Sequence, residues 1–440
     1  MSISQTPTYN IKVVLNKTGI AADTLRAWER RYGLPNPQRT PGGHRLYSDY
    51  DIETIKWLMA RQAEGLSISR AVDLWNEKIA SGSDPLAGLA PSASVSPLAV
   101  PPPSPDSTLA SLRADWIQAC KEFDELAAEQ ILNQAFALFP IEAVCMDLIQ
   151  KGLSEIGELW YENKLSVQQE HFASGLAMRR LNALLSAAPA PTRRETILVG
   201  CPADEWHTFT PLLIALLLRR RGYRVIYLGA NVPAPRFTET VKDTKADLVL
   251  LVAQQLISAA TLQSAAQILA SQNIPVAYGG RIFNLRPSLM EYIHGFFLGN
   301  EIGASLGEIE KILKAKSLPK AAKVPSQAHI AAYQSFIAKR AKIEAALKET
   351  LQPLSISPAD IETGIHFLGD HIAAALQLGD MGHVSAEIDW LRMLLQSHAT
   401  HPEQLVQFLE AYAQAVEKNI NGQGKPIFEW FQEQSQKLLA

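Results

Sequence analysis

The chain has 440 residues, of which 47% are hydrophobic and 19% charged, a composition typical of globular proteins that bury substantial cores. It has no run of about 18 apolar residues and no apolar N-terminal segment, so neither a transmembrane helix nor a signal peptide is indicated and we expect a cytoplasmic protein without membrane association. Three isolated cysteines and a net charge of −3 indicate no disulfide framework, no zinc site and no surface that coats nucleic acid, although one basic face stays compatible with that charge.

The first 80 residues predict two helices followed by a hairpin. The stretch YNIKVVLNKTGIAADTLRAWERRYGL gives a short helix over residues 11–17, a turn at Thr18-Gly19 and a second helix from about Ala22 to Tyr32. A short cationic helix suits insertion into a DNA major groove, and the Gly-Gly hairpin RTPGGHRLYS predicts an exposed β-wing that grips phosphates. The candidate DNA contacts are Thr24, Arg26, Arg30 and Arg31 on the helix and Arg39, His44, Arg45 and Tyr47 on the wing.

The run LRAWERRYGLPNPQRTPGGHRLYS at residues 25–48 closely resembles the DNA-binding domain of MerR-type regulators. The resemblance covers about residues 9–75 and implies a winged helix-turn-helix that binds double-stranded operator DNA as a dimer. In most of that family a coiled-coil helix follows directly, whereas here residues 81–107 are rich in Pro, Ser and Ala and predict an extended, flexible linker. Dimerisation must then come from elsewhere in the chain, and we expect a homo-oligomer, either a dimer or a tetramer.

The middle of the chain predicts a helical bundle followed by an α/β domain. Residues 108–190 repeat apolar residues at helical spacing in about four segments, with Trp116, Phe136 and Leu148 as core. Residues 191–318 alternate short apolar strands with helices, which predicts a flavodoxin-like, doubly wound parallel sheet that binds ligands at the carboxyl ends of its strands. The strands are predicted at 196–201, 223–229, 247–253, 274–280 and 295–299, with Thr210 as the cap of the first helix.

The loop after the first strand, PADEWHTFT, carries His207 at the predicted ligand-binding edge, with Glu205 as a candidate partner of its ring nitrogen. A bundle followed by such a sheet resembles the cobalamin-binding module of methionine synthase and related proteins. In that family an acidic residue, any residue and a His occupy this loop, the His ligates cobalt from below, and the nucleotide tail enters the sheet domain. The resemblance implies that His207 is the metal ligand and that Glu205, Thr210, Ala253, Leu256, Gly279 and Gly280 border the cofactor, although Thr210 replaces a Gly and Ala253 a Ser of the family pattern.

The segment WYENKLSVQQEH at residues 160–171 ends one helix and begins another, because Ser166 and Gln169 form a capping-box pattern. A Trp, nine residues and then Glu-His resembles the signature of light-sensing cobalamin repressors of the CarH kind. The resemblance implies that Trp160 covers the upper face of adenosylcobalamin, that Glu170 and His171 enclose the adenosyl group, and that light disperses the DNA-binding assembly. Tyr161 stands where these proteins commonly have a His that captures cobalt, and a phenol is a poorer ligand near neutral pH than an imidazole.

Three classes of function are compatible with parts of this sequence. A ligand-gated transcription factor accounts for every module. A cobalamin enzyme would need a substrate barrel that the remaining residues cannot supply, so no enzyme is predicted. A light-independent MerR-type regulator whose pocket takes another tetrapyrrole or small ligand stays open because of Thr210 and Ala253.

Residues 326–440 predict an additional all-helical domain with amphipathic runs, for which oligomerisation or partner binding is the expected role. Five of its histidines lack a shared helical face and carboxylate neighbours, and we expect them to be ordinary solvated residues. They are His366, His371, His383, His398 and His401.

Overall fold

The computed structural model describes residues 3–40, 42–63, 66–81, 84–86, 108–315, 319, 322–351, 358–388, 402–420 and 422–439. Within them the chain forms two compact units, residues 1–104 and 105–440. No helix of these described ranges is long and apolar enough to cross a membrane.

The first unit is a winged helix-turn-helix, as predicted. Asn10 caps the first helix through the Val13 N–H, and Gly19, with φ of 74°, ends it. The predicted hairpin is present as an antiparallel pair of two-residue strands. The elements are α1 (Ile11–Thr18), α2 (Ala22–Tyr32), β1 (Gln38–Arg39), β2 (Arg45–Leu46), α3 (Asp49–Ala63) and α4 (Ile68–Ala80).

Residues 84–86, which belong to the predicted linker, pack on this unit. Leu86 is buried in the same apolar core as Trp28 and Trp75, and the Tyr50 hydroxyl donates to Asp84 at 3.2 Å. The contact with the first unit therefore extends to residue 86, beyond the predicted start of the linker at 81. Residues 82–83 and 87–107 of the predicted linker lie outside the described residues.

The second unit begins with a bundle of four helical segments. Trp116 and Leu148 are fully buried in it as predicted, whereas Phe136 is half-buried between the bundle core and the sheet core. Gly152 allows Trp116 to pack closely against the helix, because a Cβ there would lie 3.0 Å from the Trp116 ring. The first, second and fourth segments are α5 (Leu109–Lys121), α6 (Glu125–Leu138) and α9 (Val167–Ser186). The third segment is continuous and consists of α7 (Ile141–Ala143), a π-helical segment (Val144–Gln150) and α8 (Lys151–Tyr161).

A five-stranded parallel sheet follows, and its spatial order, with the second strand of the chain outermost and the first beside it, is the flavodoxin-like order that was predicted. Its helices α10 and α14 share one core with the sheet, and α9 of the bundle packs on α10. The elements are β3 (Thr196–Pro202), α10 (Phe209–Arg220), β4 (Arg224–Val232), α11 (Ala234–Thr244), β5 (Leu248–Val252), α12 (Leu256–Ala270), β6 (Val276–Gly279), α13 (Arg281–Leu285), a 3-10 turn (Pro287–Tyr292), β7 (Phe296–Phe297) and α14 (Ile302–Ala315).

The C-terminal helices form a layer on the other face of the sheet domain. Phe336, Ile372 and Tyr412 belong to one continuous apolar core with Leu251 and Leu262. The Gln377 amide donates to the Ala260 carbonyl at 2.6 Å and to Ser264 Oγ at 2.8 Å, which ties this layer to α12. Its described elements are α15 (Gln327–Leu351), α16 (Pro358–Gln377), a helical segment at 382–388, α17 (Pro402–Asn419) and α18 (Lys425–Leu439).

The interpretation of the C-terminal histidines as solvated is wrong for two of them. His371 and His383 are buried, and His371 Nε2 lies 3.9 Å from Glu387. His366 is half-exposed but lies 3.5 Å from Glu344, so carboxylates are near these side chains after all. His398 and His401 lie outside the described residues.

Candidate cofactor and nucleic-acid sites

Glu205 and His207 form a hydrogen-bonded pair at the carboxyl end of β3. His207 Nδ1 lies 2.7 Å from Glu205 Oε1, and the imidazole is 58% exposed while the carboxylate is 1% exposed. The loop that carries them is pinned by Asn231 at the end of β4, which accepts from the Asp204 N–H and donates its own N–H to the Glu205 carbonyl. Because Nδ1 faces the carboxylate, Nε2 is the nitrogen left for a ligand.

Four donors hold the buried Glu205 carboxylate. The His207 ring and backbone N–H bind Oε1, while the Gln254 N–H and the Ser258 hydroxyl bind Oε2 at 2.6 and 2.7 Å. Burial alone would raise the pKa of Glu205, but the hydrogen bonds from His207, Ser258 and Gln254 outweigh it and lower that pKa. Sequence reasoning missed Gln254 and Ser258, although a polar residue directly after a buried strand at this edge was a usable signal.

The bundle contributes charge to the same site. The pKa of His207 is raised, chiefly by its hydrogen bond to Glu205, with the charges of Glu205 and Glu170 acting in the same direction and burial and Arg281 acting against. Glu170, in the first turn of α9, therefore lies close enough to His207 for its charge to act on the imidazole. Burial also raises the pKa of the nearby Cys201 thiol to about 12, so this cysteine does not offer a thiolate.

Two strand ends meet closely at this edge. Gly280, with φ of +127°, admits no side chain, because a Cβ there would lie 1.9 Å from the Ala253 carbonyl oxygen, whereas a Cβ on Gly279 would meet open space. Ala253 and Leu256 are fully buried beneath this edge. Gln254 joins the neighbouring loops, since its side chain accepts from the Arg281 N–H and donates to Thr210 Oγ1 at 3.3 Å.

Thr210 does not have the predicted capping role. Helix α10 begins at Phe209, two residues before the predicted first position at Pro211, and its N-cap residue is Thr208, which makes no side-chain cap bond. Thr210 thus lies inside the first turn, where its hydroxyl is engaged by Gln254. Its side chain occupies the position at which the family pattern has none.

The turn between α8 and α9 has the predicted capping box, formed by Ser166 and Gln169. Trp160 and Tyr161 end α8 and are 40% and 50% exposed, which is unusual for large ring side chains in a bundle. His171 Nδ1 lies 2.6 Å from Glu170 Oε2 in the first turn of α9. The structure thus presents aromatic and hydrogen-bonding side chains at the end of the bundle where Glu170 lies near enough to influence His207.

The predicted DNA-binding side chains lie mostly where expected. Helix α2 exposes Thr24, Arg26, Arg30 and Arg31, with Arg26 3.5 Å from Asp23, and the hairpin exposes Arg39 and His44. Arg45 is half-buried because its Nε donates to Glu29 of α2 at 2.7 Å.

The prediction of Tyr47 as an exposed wing residue is wrong. Its side chain is fully buried, and its hydroxyl donates to Glu29 while its backbone pairs with Tyr9. Tyr47 therefore supports the wing from inside the core. Glu29, which sequence reasoning missed, ties this wing to α2 through both Arg45 and Tyr47.

Three family models match the chain. One described as MerR HTH family regulatory protein matches residues 9–78. Two described as B12 binding domain match residues 112–185 and 195–300. These ranges correspond to the winged unit, the bundle and the sheet, and the C-terminal layer lies beyond them.

Two curated proteins match over most of their own length. The HTH-type transcriptional repressor CarH of Myxococcus xanthus is 32% identical over 242 residues, which cover 55% of this chain and 77% of CarH. The HTH-type transcriptional repressor CarA of the same organism is 30% identical over 248 residues, which cover 56% of this chain and 76% of CarA. Among solved structures, the monomethylamine corrinoid protein of Methanosarcina barkeri is 16% identical with a TM-score of 0.40, and the match covers 46% of this chain and 100% of that protein.

Proposed function

The chain belongs to the family of MerR-type transcriptional repressors that includes CarH and CarA, and on that premise we propose that it is a cobalamin-dependent, light-responsive repressor. It is a regulator rather than an enzyme. In this proposal the winged unit binds double-stranded operator DNA, and the bundle and sheet hold adenosylcobalamin between them. The observation that carries the proposal is the Glu205–His207 pair at the carboxyl edge of the sheet, with the charge of Glu170 of the bundle acting on the same imidazole.

The side chains at this edge fit a corrinoid. An imidazole with a free Nε2 is a suitable ligand for cobalt, and the carboxylate behind Nδ1 fixes its direction and raises its basicity. The open space above Gly279 and the exposed Trp160 offer room and an aromatic face for a large flat ligand. Thr210 narrows the route of a nucleotide tail without closing the edge, because its hydroxyl is turned to Gln254.

Each of these residues has a proposed role. His207 would ligate the cobalt, with Glu205 orienting its ring, while Trp160 would cover the opposite side of the cofactor and Glu170 and His171 would enclose its adenosyl group. Residues on the sheet side border the corrin and its tail, and they are Thr210, Ala253, Leu256, Gly279 and Gly280.

Bound adenosylcobalamin would supply a cobalt–carbon bond that green light breaks. Loss of the adenosyl group would remove a packing partner of Trp160 and Glu170, and we expect the bundle then to shift and the homo-oligomer, a dimer or tetramer, to separate and leave its operator. Tyr161 offers a phenol where an imidazole would bind firmly, so the illuminated state is held less permanently than in proteins with a His at that position.

The test uses the full chain purified in darkness with adenosylcobalamin. We expect the protein to retain the cofactor through gel filtration, to show its absorption spectrum, and to change both spectrum and oligomer size after green illumination, with a smaller size change in Trp160→Ala. If cobalamin is retained but light changes neither quantity, the photoreceptor part of the proposal fails. If no cobalamin is retained, the pocket serves another tetrapyrrole or small ligand.

A further inference from the structure

Six arginines gather at the amino-terminal edge of the sheet, opposite the Glu205–His207 pair. Three of them are engaged: Arg193 with Glu310, Arg219 with the Leu185 carbonyl and Arg220 with Glu142. Among the described residues, the other three have exposed side chains without a hydrogen-bond or ion-pair partner. We call these three, Arg194, Arg221 and Arg224, the arginine edge.

The backbone brings the arginine edge together. The Arg193 N–H donates to the Gly222 carbonyl at 2.8 Å, and the Arg224 N–H donates to the Glu195 carbonyl at 3.2 Å. Gly222, with φ of +88°, permits this approach, because a Cβ there would lie 2.2 Å from Thr192 Oγ1. The segment before β3 therefore lies against the turn before β4, and the three arginine side chains project from neighbouring positions on one surface.

Four carboxylates lie at the same edge. Glu310 and Glu142 pair with Arg193 and Arg220, and the charge of Arg221 also acts on Glu142. The other two form no ion pair with an arginine of the described part of the chain. Asp247 accepts from the Thr196 N–H at 2.8 Å, which directs it toward the backbone, and the Glu195 side chain is half-buried. Three outward guanidinium groups in this setting suit a polyanion with regularly spaced phosphates better than a single small anion.

The chain enters the second unit on the side of the arginine edge. The Gln169 amide of α9 donates to the Lys121 carbonyl at 2.7 Å, so the end of α5 meets the beginning of α9. Both helices line one core along their length, so they run antiparallel and Thr108, before α5, lies toward the C-terminal end of α9. That end is tied to the arginine-rich edge through the bond from Arg219 to Leu185.

We propose that the arginine edge is a second DNA-binding surface, which contacts the phosphates of duplex DNA flanking the operator that the winged unit binds. The proposal rests on the proposed function, because the winged unit must deliver the duplex. A tether with the sequence length of residues 87–107 spans at most about 75 Å, which brings roughly 20 base pairs of flanking DNA within reach. The contact is independent of sequence, since phosphates carry no base information.

The experiment compares two duplexes that carry the same binding site, selected by the full chain from random DNA. One duplex has the site alone, and the other has about 20 extra base pairs of unrelated sequence on each side. The proteins are wild type, the triple variant Arg194→Ala/Arg221→Ala/Arg224→Ala, its charge-conserving counterpart with three Arg→Lys changes, and the control Lys339→Ala/Lys342→Ala/Lys437→Ala, which removes the same charge from exposed positions of the C-terminal layer.

We expect wild type, the Arg→Lys variant and the lysine control to bind the long duplex more tightly than the short one. The Arg→Ala variant should bind both duplexes with the affinity that wild type has for the short one. On the long duplex, the slope of the logarithm of its binding constant against the logarithm of salt concentration should be smaller in magnitude than that of wild type by about 2.7, or about 0.9 for each lost phosphate contact. The inference is overturned if wild type binds the long duplex no more tightly than the short one, in which case an acidic protein segment is left as the partner. It is also overturned if the Arg→Ala variant keeps the tighter binding of the long duplex, or if the lysine control loses it to the same extent. Failure of the proposed function looks different, because no duplex would then be selected at all.

Discussion

At the scale of single residues, the candidate site depends on the Glu205 carboxylate, whose burial requires a free energy of desolvation. An ionised Glu205 loses its hydration, and only hydrogen bonds from several donors make its burial tolerable. The arrangement leaves His207 exposed but directionally fixed, which is what a ligand for a metal from solution requires. The buried hydrogen bonds thus fix Glu205, the hydrogen-bond partner of the candidate ligand, while the His207 imidazole itself stays accessible.

His207→Ala tests this arrangement. The variant should lose most retained cobalamin, or retain it with a spectrum that lacks nitrogen ligation from the protein, because it removes the imidazole that we propose as the cobalt ligand. Its thermal unfolding without cofactor should stay close to wild type, since the imidazole is largely exposed.

The matched control is His294→Ala. His294 lies two residues before β7, at the amino end of the strands and away from the candidate site. Equal cobalamin retention in both variants and wild type would remove His207 from the site.

A second residue-scale prediction concerns Glu29 in the winged unit. Glu29→Ala leaves the buried Tyr47 hydroxyl without an acceptor and releases Arg45, so the free energy of unfolding of this unit should fall by about 1–3 kcal/mol. Hydrogen exchange of α2 and β2 amides in the full chain measures this loss. Glu53→Ala, which removes an exposed partner of Lys56, should change it by less than about 0.5 kcal/mol, and a similar effect of both changes would show that the Glu29 contacts contribute nothing special.

At the scale of elements, the C-terminal layer meets the sheet domain through a buried polar cluster. Arg286 of the sheet domain donates to Glu387 at 2.7 Å, and the buried His371 and His383 lie beside this pair. Burial is the main cause that lowers the pKa of both histidines, and the charge of Arg286 adds to it, while Asp370, Asp380 and Glu387 oppose it. Both side chains are therefore neutral in the folded layer near neutral pH.

This cluster predicts a layer that loosens in mild acid. Because the folded pKa of each histidine is lowered, the unfolded chain binds protons more readily, so the stabilisation is present above about pH 6.5 and is lost as the pH falls through the unfolded and then the folded pKa. Hydrogen exchange of α16 and residues 382–388, corrected for intrinsic rates, should accelerate between pH 7.5 and about 5.5. Helix α2 of the same chain is the internal control, and parallel behaviour of both regions would contradict the prediction.

Elements with a strong local pattern were predictable from the sequence. Helix α2 begins and ends at the expected residues, and the buried strands β3 and β5 lie within one residue of the predicted bounds, because continuous apolar runs bounded by Gly, Pro or Asp define them. Tyr47, Ser258 and His371 could not be placed this way. Their environments are created by residues 18, 53 and 16 positions away along the chain, namely Glu29, Glu205 and Glu387, and no local periodicity encodes such contacts.

At the scale of the whole molecule, separate cores divide DNA recognition from ligand sensing. The winged unit has its own apolar core, while bundle, sheet and C-terminal layer pack together in the second unit. The C-terminal layer covers the α12 face of the sheet, so association of two second units must use another surface.

The measurement that tests the central claim most directly is operator affinity of the full chain with adenosylcobalamin, titrated in darkness and again after green illumination. We predict tight, salt-dependent binding in darkness that requires the cofactor, and a loss of at least tenfold in affinity after illumination, as the assembly separates. Binding that is equal with and without adenosylcobalamin, in darkness and in light, would contradict the account of a cobalamin-dependent repressor.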